Sequence, residues 1–395
     1  MTLTDPTPFS PQEYERRLNL TRAAMTRAGI DVLIATDPSN QAWLTGYDGW
    51  SFYVHQAVIL PIDGTPFWWG RRQDSNGALR TVNRAVTDVE FYTDDFVQST
   101  ERHPMQDLSA KLAARGLARG RIGVEMDNYY FSAKAHTTLV TSLPDATIVD
   151  ATALVNWQRA VKSEEELTFM RRAATITEKI IQLAIDRAAP GLRKNELAAE
   201  IMASGITGVG ETWGDYPAIV PLMPSGTDAA APHLTWNGDV MKTGEVTFFE
   251  LAGCYRRYHV PLSRSVMLGT PPDHIKRGEE ALIEGLEAGL DKARAGNRTQ
   301  DVANALGAAM DKAGIERGAR CGYSIGLSYP PDWGERTMSL RPEDESVLKP
   351  GMTFHFMPGL WMDDWGLEIT ESILITEDGP AQPFCGIERK LFIKD

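Results

Sequence analysis

The stretch VTFFELAGCYRRYHVPLSRS, residues 246–265, sets Glu250 at the end of an apolar run and His259 just beyond a pair of arginines. It reads as two strands folded back on each other. A carboxylate on a buried strand holds a cation or does chemistry, because an unpaired charge there is costly. The cation is either a metal ion or the substrate itself. Two further stretches combine polar and aromatic side chains densely enough to suggest a binding site. One is GYDGWSFYVH, with Trp50, Phe52 and Tyr53; the other runs from Tyr329 to Arg336 through Trp333. Aromatic faces stabilise a delocalised cation by roughly 0.5–2 kcal/mol each once water is excluded. Tyr258, Trp361 and Trp365 are further aromatic candidates, and His233, His355 and Glu368 further polar ones. Taken singly, a strand histidine is more often a core residue, a buried glutamate often an ion-pair partner, and a Trp or Tyr more often core than cage.

The elements that must hold these residues follow from pattern. The chain has 395 residues, enough for two domains with cores of their own. Its 40 Lys and Arg against 53 Asp and Glu give a net charge of −13, which argues against nucleic acid or an anionic membrane surface as partner. The opening MTLTDPTPFSPQEYERR has no apolar core of signal-peptide type, and no apolar run approaches a membrane span. Cys254, Cys321 and Cys385 are few and scattered, which suits reduced thiols rather than disulfides or a zinc knuckle. A cytoplasmic soluble protein is expected.

Ser10, Pro11 and Glu13 start a helix that Gly29 ends. Short strand-like runs follow at DVLIAT, HQAVILP, TPFWWG, RIGVEM and ATIVDAT, with PMQDLSAKLAARG helical between them. This alternation predicts an α/β domain over residues 1–155. A capping box at Ser163 and Glu166 opens a second long helix, stopped at Pro190-Gly191. Helices near 194–204, 273–294 and 299–313, with strands at 217–223, 246–252, 255–268, 352–357 and 366–376, predict an α+β domain over 156–395, a curved antiparallel sheet under helices.

The second half resembles the creatinase/aminopeptidase, or pita-bread, family. The landmarks are AVKSEEELTFMRRAA, PSGTDAAAPH, MKTGEVTFFELAG, YHVPLSRS, GYSIGLS, LKPGMTFHFMPGL and GLEITESILITEDGP, in the family's order. Metal-dependent members hold two ions with Asp, Asp, His, Glu and Glu. Those positions fall here on Glu250, Pro261, Tyr323, Met357 and Thr370. One carboxylate in five positions will not hold two divalent ions, which want anionic oxygen or imidazole. The resemblance therefore implies a scaffold without metal or other cofactor. Strand parity puts Glu250, His259, His355 and Glu368 on the former metal face, with His233 above it.

His233 also matches the catalytic histidine of creatinase-like enzymes, and Arg336 their carboxylate-binding arginine. Met357 stands where those enzymes keep a glutamate, so a substrate other than creatine is implied. DPSNQAWLTGYDGWSFYVHQAVIL, with the metal-less motifs, resembles the ectoine-hydrolase branch of the family. That branch opens the cyclic amidine of ectoine to N-acetyl-diaminobutyrate. The resemblance implies Glu250 facing the amidinium, His233 and His259 moving protons, and Arg336 on the substrate carboxylate. Trp50, Phe52, Tyr53, Tyr258, Tyr329, Trp361 and Glu368 complete the expected site. It also implies a homodimer whose GYDGWSFYVH loop closes the partner's site, a possible second substrate in hydroxyectoine, and a deacetylase acting on the product. Three rivals stand: a metal-dependent Xaa-Pro aminopeptidase, a hydrolase of another amidino or guanidino compound, and an inactive scaffold used for binding.

Overall fold

The computed structural model describes residues 7–395; the first six residues of the stretch read for a targeting signal lie outside the described residues. The chain divides at Arg159/Ala160 into two compact units.

In unit one, Ser10 accepts a hydrogen bond from the Glu13 amide and Pro11 opens α1 (Pro11–Ala28). Gly29 takes the left-handed conformation that ends it. Then come β1 (Val32–Ala35), α2 (Pro38–Thr45), β2 (Ala57–Pro61), β3 (Phe67–Arg71), α3 (Arg72–Thr81), β4 (Asp88–Tyr92), α4 (Pro104–Ala114), β5 (Gly120–Val124), α5 (Ala133–Ser142), β6 (Ala146–Asp150) and α6 (Leu154–Arg159). Among the described residues the strands form one mixed sheet in the order β4-β3-β2-β1-β5-β6. β1 and β2 are buried at every position, as their unbroken apolar runs require. β4 escaped the sequence reading because DVEFY is half exposed and polar at alternate positions.

Unit two begins with α7 (Glu164–Arg187), whose Ser163/Glu166 capping box forms as expected. α8 (Lys194–Thr207) follows, then the hairpin β7 (Val246–Tyr255) and β8 (Tyr258–Leu268). α9 (Asp273–Lys292) and α10 (Thr299–Lys312) pack on a core that includes Leu282, Leu286, Leu306, Phe354 and Phe356. The remaining strands are β9 (Gly322–Ile325), β10 (Gly334–Ser339), β11 (Thr353–Phe356), β12 (Gly359–Trp361), β13 (Gly366–Glu368), β14 (Glu371–Leu374), β15 (Gln382–Pro383) and β16 (Phe392–Lys394). They order as β10-β9-β11-β14-β15, β12-β13 and β16-β8-β7, antiparallel except for β16 beside β8. No helix among the described residues is long and apolar enough to cross a membrane.

The β7–β8 hairpin carries Glu250, and its two-residue turn is unusual. Arg256 and Arg257 both have positive φ, 51° and 66°. That conformation normally selects Asn-Gly. Here the Asp215 carboxylate accepts the Arg257 amide, and the Arg257 guanidinium lies 3.9 Å from the Tyr216 ring centroid. α7 presses on the same hairpin. A Cβ on Gly253 would meet the Ala173 carbonyl oxygen at 2.3 Å, so only glycine fits. The Thr177 hydroxyl accepts the Gly253 amide and donates to the Val260 carbonyl, locking helix to hairpin.

Two expected strands differ. Residues 217–223 form no strand, only an isolated bridge between Leu222 and Glu250. Pro217 and Pro221 have no amide hydrogen to give a ladder. The run 366–376 breaks at Ile369-Thr370. There the chain leaves its pairing with β12 for a pairing with β11, and the Thr370 amide donates to Ser263 instead.

Candidate active site

Glu250 pairs across the hairpin with Ser263, and from there a row of polar groups crosses unit two. The Ser263 amide donates to the Thr370 hydroxyl oxygen at 2.7 Å. Thr370 Oγ1 lies 2.8 Å from His355 Nε2, and His355 Nδ1 lies 3.0 Å from the Tyr323 hydroxyl. The Trp333 indole N–H donates to that hydroxyl oxygen at 2.7 Å. His355 Nδ1 is also 3.8 Å from Glu250 Oε1.

Trp333 and the Ser263 amide can only donate. Two proton arrangements are then consistent. In one, Tyr323 donates to Nδ1 and Nε2–H donates to Thr370. In the other, Thr370 donates to Nε2 and Nδ1–H donates to Tyr323, whose own proton then turns away from the imidazole. The row is a relay with its imidazole in the middle. Burial, then the charge of Arg320, holds the His355 imidazole neutral, down to about 3. Burial and the Glu250 charge raise the Tyr323 phenol well above its ordinary value.

Glu250 is 4% exposed. Burial pushes its carboxyl well up, and so do the charges of Glu368 and Asp332. Glu368 is fully buried. Its Oε1 accepts the Trp361 indole N–H at 2.9 Å, while Oε2 lies buried without a well-formed hydrogen bond. Burial raises its carboxyl to about 7, opposed by Ser263, Trp361 and Arg317. Asp332 is half-buried and accepts the Gly334 amide at 2.9 Å.

The raised Glu368 value has a consequence for stability. Folding favours its protonated form, so its contribution is fully present below the ordinary carboxyl value of 4.5 and is lost as pH rises through about 7. Glu368→Gln stays neutral throughout. Its melting temperature will match that of the wild type near pH 4.5 and exceed it increasingly toward pH 8. A difference that stays flat with pH would show that Glu368 ionises as easily in the fold as in the unfolded chain.

The structure brings Glu250, His355, Glu368, Trp361 and Trp333 into this region, and adds Tyr323, Thr370 and Asp332. His259 reaches this region only at Trp333, with the two ring centroids 6.5 Å apart. It pairs with Cys254, four residues along β7 from Glu250, or roughly 13 Å at the strand rise. Its Nε2 accepts the Ala218 amide at 2.9 Å, and burial holds it neutral, down to about 3. His233 is exposed, in the turn after the 3-10 segment Gly226–Ala230. Its neighbour Leu234 accepts the Met223 amide, beside the Leu222–Glu250 bridge, so the backbone carries His233 to the edge of the Glu250 strand. Tyr258 is buried and donates to Glu166 Oε1 at 2.8 Å. Tyr329 is buried with its ring 5.3 Å from the Arg257 guanidinium. Arg336 is exposed on β10 at φ 55°. In unit one, the Trp50 ring packs 4.8 Å from Phe52, and Trp50 and Tyr53 are 58% and 70% exposed. Trp365 packs at the margin of the unit-two core. All three cysteines are buried, and none of them is in a disulfide.

An α/β unit followed by this antiparallel scaffold, with its polar row on the β7–β8 hairpin, defines a pita-bread protein. Residues 168–377 match the model of metallopeptidase family M24, and residues 17–161 that of the creatinase/prolidase N-terminal domain. The chain is 57% identical over 394 residues to the ectoine hydrolase of Halomonas elongata, covering 98% of each protein. The solved dipeptidase PepE from Mycobacterium ulcerans shares the fold at TM-score 0.81 and 22% identity, with 98% of this chain and 99% of that one covered. The prolidase from Thermococcus sibiricus does so at 0.84 and 19%, with 97% and 100% covered. The chain belongs to metallopeptidase family M24 and is a hydrolase of its creatinase/prolidase type.

Family M24 implies bound metal, and the donor set here does not fit a metal pair. Of the five ligand positions, Tyr323 and Thr370 are spent on His355. Pro261 and Met357 offer no carboxylate or imidazole. Among the described residues no cluster of three or more His, Cys, Asp or Glu could hold a metal ion.

Proposed function

We propose that this protein hydrolyses the cyclic amidine of ectoine to N-acetyl-diaminobutyrate without a catalytic metal. The 57% identity to the Halomonas elongata ectoine hydrolase supports the substrate. One observation carries the chemistry. Glu250 is enclosed with Glu368 and Asp332 acting on it, and among the described residues no Lys or Arg pairs with it. Such a site is short of one cation, and an amidinium supplies it. Once the cation is seated, its charge draws Glu250 to the ionised form.

The Glu250 oxygen then adds to the amidinium carbon, or holds the cation while a water hydrogen-bonded to the Tyr323–His355 row adds. On either route the carbon becomes tetrahedral and the π-electron pair moves onto nitrogen. One ring C–N bond then breaks as a proton reaches the departing amine. Glu368 is suited to deliver it, because a carboxyl near 7 stays partly protonated at neutral pH. On the first route water then adds to that carbon, the Glu250–carbon bond breaks and the amide forms. On the second the water already added loses its remaining proton as the carbonyl forms. Either way the proton released restores Glu368. In this reading His355 and Tyr323 take the proton-handling role expected of His233 and His259.

The reading extends to a cytoplasmic homodimer in which the loop at 47–55 closes the partner's site, which the exposed Trp50 and Tyr53 support. A deacetylase would consume the product. The test is a panel of ectoine, hydroxyectoine, creatine and an Xaa-Pro dipeptide on chelator-stripped enzyme. Ectoine will be opened at an unchanged rate. Activity lost on stripping and restored by manganese, cobalt or zinc would end the metal-free reading. Turnover of the dipeptide but not of ectoine would end the substrate assignment.

A further inference from the structure

We propose that Arg320 is the cation that receives the substrate's carboxylate and makes the enzyme specific for an amidinium ring that carries one. The inference rests on the functional reading above. Arg320 lies with its guanidinium 4.7 Å from the centroid of the Tyr323 ring. The hydroxyl of that ring is 3.0 Å from His355 Nδ1, which is 3.8 Å from Glu250 Oε1. A cation therefore borders the aromatic ring whose hydroxyl end is linked, through His355, to the carboxylate for the amidinium. The substrate is a zwitterion, so a site that binds it specifically needs both poles.

Arg320 is also available. It is exposed, and its side chain makes one long hydrogen bond, 3.3 Å to Ser339 Oγ, which Arg341 shares at 3.4 Å. No carboxylate among the described residues lies within ion-pair distance of it. The other arginines of this region are committed. Arg317 donates to the carbonyls of Met357, Gly359, Ala319 and Arg320. Arg264 is fully buried against Glu371 and four carbonyls. Arg257 sits at the far hairpin turn beside Asp215. Arg336, the sequence-level choice, stands exposed on β10 between Glu335, buried against Lys162, and the half-buried Thr337. The charge of Arg320 also acts on His355, so its field already reaches the relay. A guanidinium fork matches a carboxylate in two parallel hydrogen bonds, which a lysine cannot reproduce.

The test compares ectoine with the same methylated tetrahydropyrimidine ring lacking its carboxylate, on wild type, Arg320→Ala and Arg320→Lys. Losing a charge-assisted pair will raise KM for ectoine by about 10- to 100-fold in Arg320→Ala, with a much smaller change in kcat. The same substitution will leave KM for the ring without carboxylate unchanged. Arg320→Lys will recover part of the loss. Melting curves check that the variants fold, which the exposure of Arg320 favours. An unchanged KM for ectoine, or equal losses on both rings, overturns the assignment to Arg320 alone, as does finding the whole carboxylate dependence in Arg336→Ala. A wild-type enzyme inert to both rings overturns the functional reading together with this assignment.

Discussion

Glu250→Gln will lower turnover of ectoine by at least ~100-fold, the scale for removing one well-placed catalytic group. The substitution keeps shape and hydrogen-bonding capacity while removing the charge and the nucleophile. The same variant will be no less stable than wild type at neutral pH. Its carboxylate is buried and repelled by Glu368 and Asp332, so the fold gains when that charge is gone. Lost activity with retained or higher melting temperature separates a catalytic role from a structural one. A covalent adduct trapped on the Glu250 peptide and seen by mass spectrometry would select the nucleophilic route. A Glu250→Gln enzyme with near-normal turnover would end both routes and move the chemistry to Glu368 or the relay.

His355→Gln will cost about 100-fold in kcat, and Tyr323→Phe about 10-fold, with KM for ectoine little altered in either. The imidazole joins the Tyr323 and Thr370 hydroxyls, and no other described side chain spans that interval. Because His355 is held neutral down to about 3, its loss will lower rates across the neutral range without moving the acid limb of the profile. That limb belongs to the carboxylates and will lie above the ordinary glutamate range in kcat/KM, rising with pH as Glu250 ionises. A displaced acid limb in His355→Gln, or kcat close to wild type, would show that the imidazole only fills space.

The site was half legible in the sequence, for a physical reason. Side chains alternate along strands with period two, so the positions flanking the vacated ligand slots could be placed on a face. His355 and Glu368 were found that way. Period two says nothing about distance along the strand, and His259 was set near Glu250 by face alone although its partner is Cys254. Tyr323 and Thr370 were noticed only as poor metal ligands; their hydroxyls turn out to hold the imidazole. Trp333 was read only as an aromatic of the 329–336 stretch, and Asp332 escaped assignment, because they lie between Pro331 and Gly334 in a segment that reads as loop. β9 and β10 were missed with them, since Gly322, Gly326 and the pair Pro330-Pro331 mask the strand pattern. Gly326 cannot carry a side chain, because its Cβ would meet Glu335 Oε1 at 2.4 Å and Lys162 Cε at 2.6 Å. No pattern along the chain announces a glycine required by a buried ion pair so far away in sequence.

The Arg264 clamp bears on the order in which the molecule assembles. Next to Ser263, in the strand that faces Glu250, this guanidinium is satisfied by the carbonyls of Ile387 and Glu388, separated from it by 123 and 124 positions. β16 adds backbone pairing to the end of β8 from equally far along the chain. Closing so long a loop loses chain entropy before any contact repays it. The hairpin can zip locally, but until residues 387–394 arrive the Arg264 guanidinium lacks two of its carbonyl partners and keeps only Glu371, Ser263 and Thr370. The full set of partners around Arg264, next to the strand position that faces Glu250, therefore depends on contacts that close more than a hundred residues of chain.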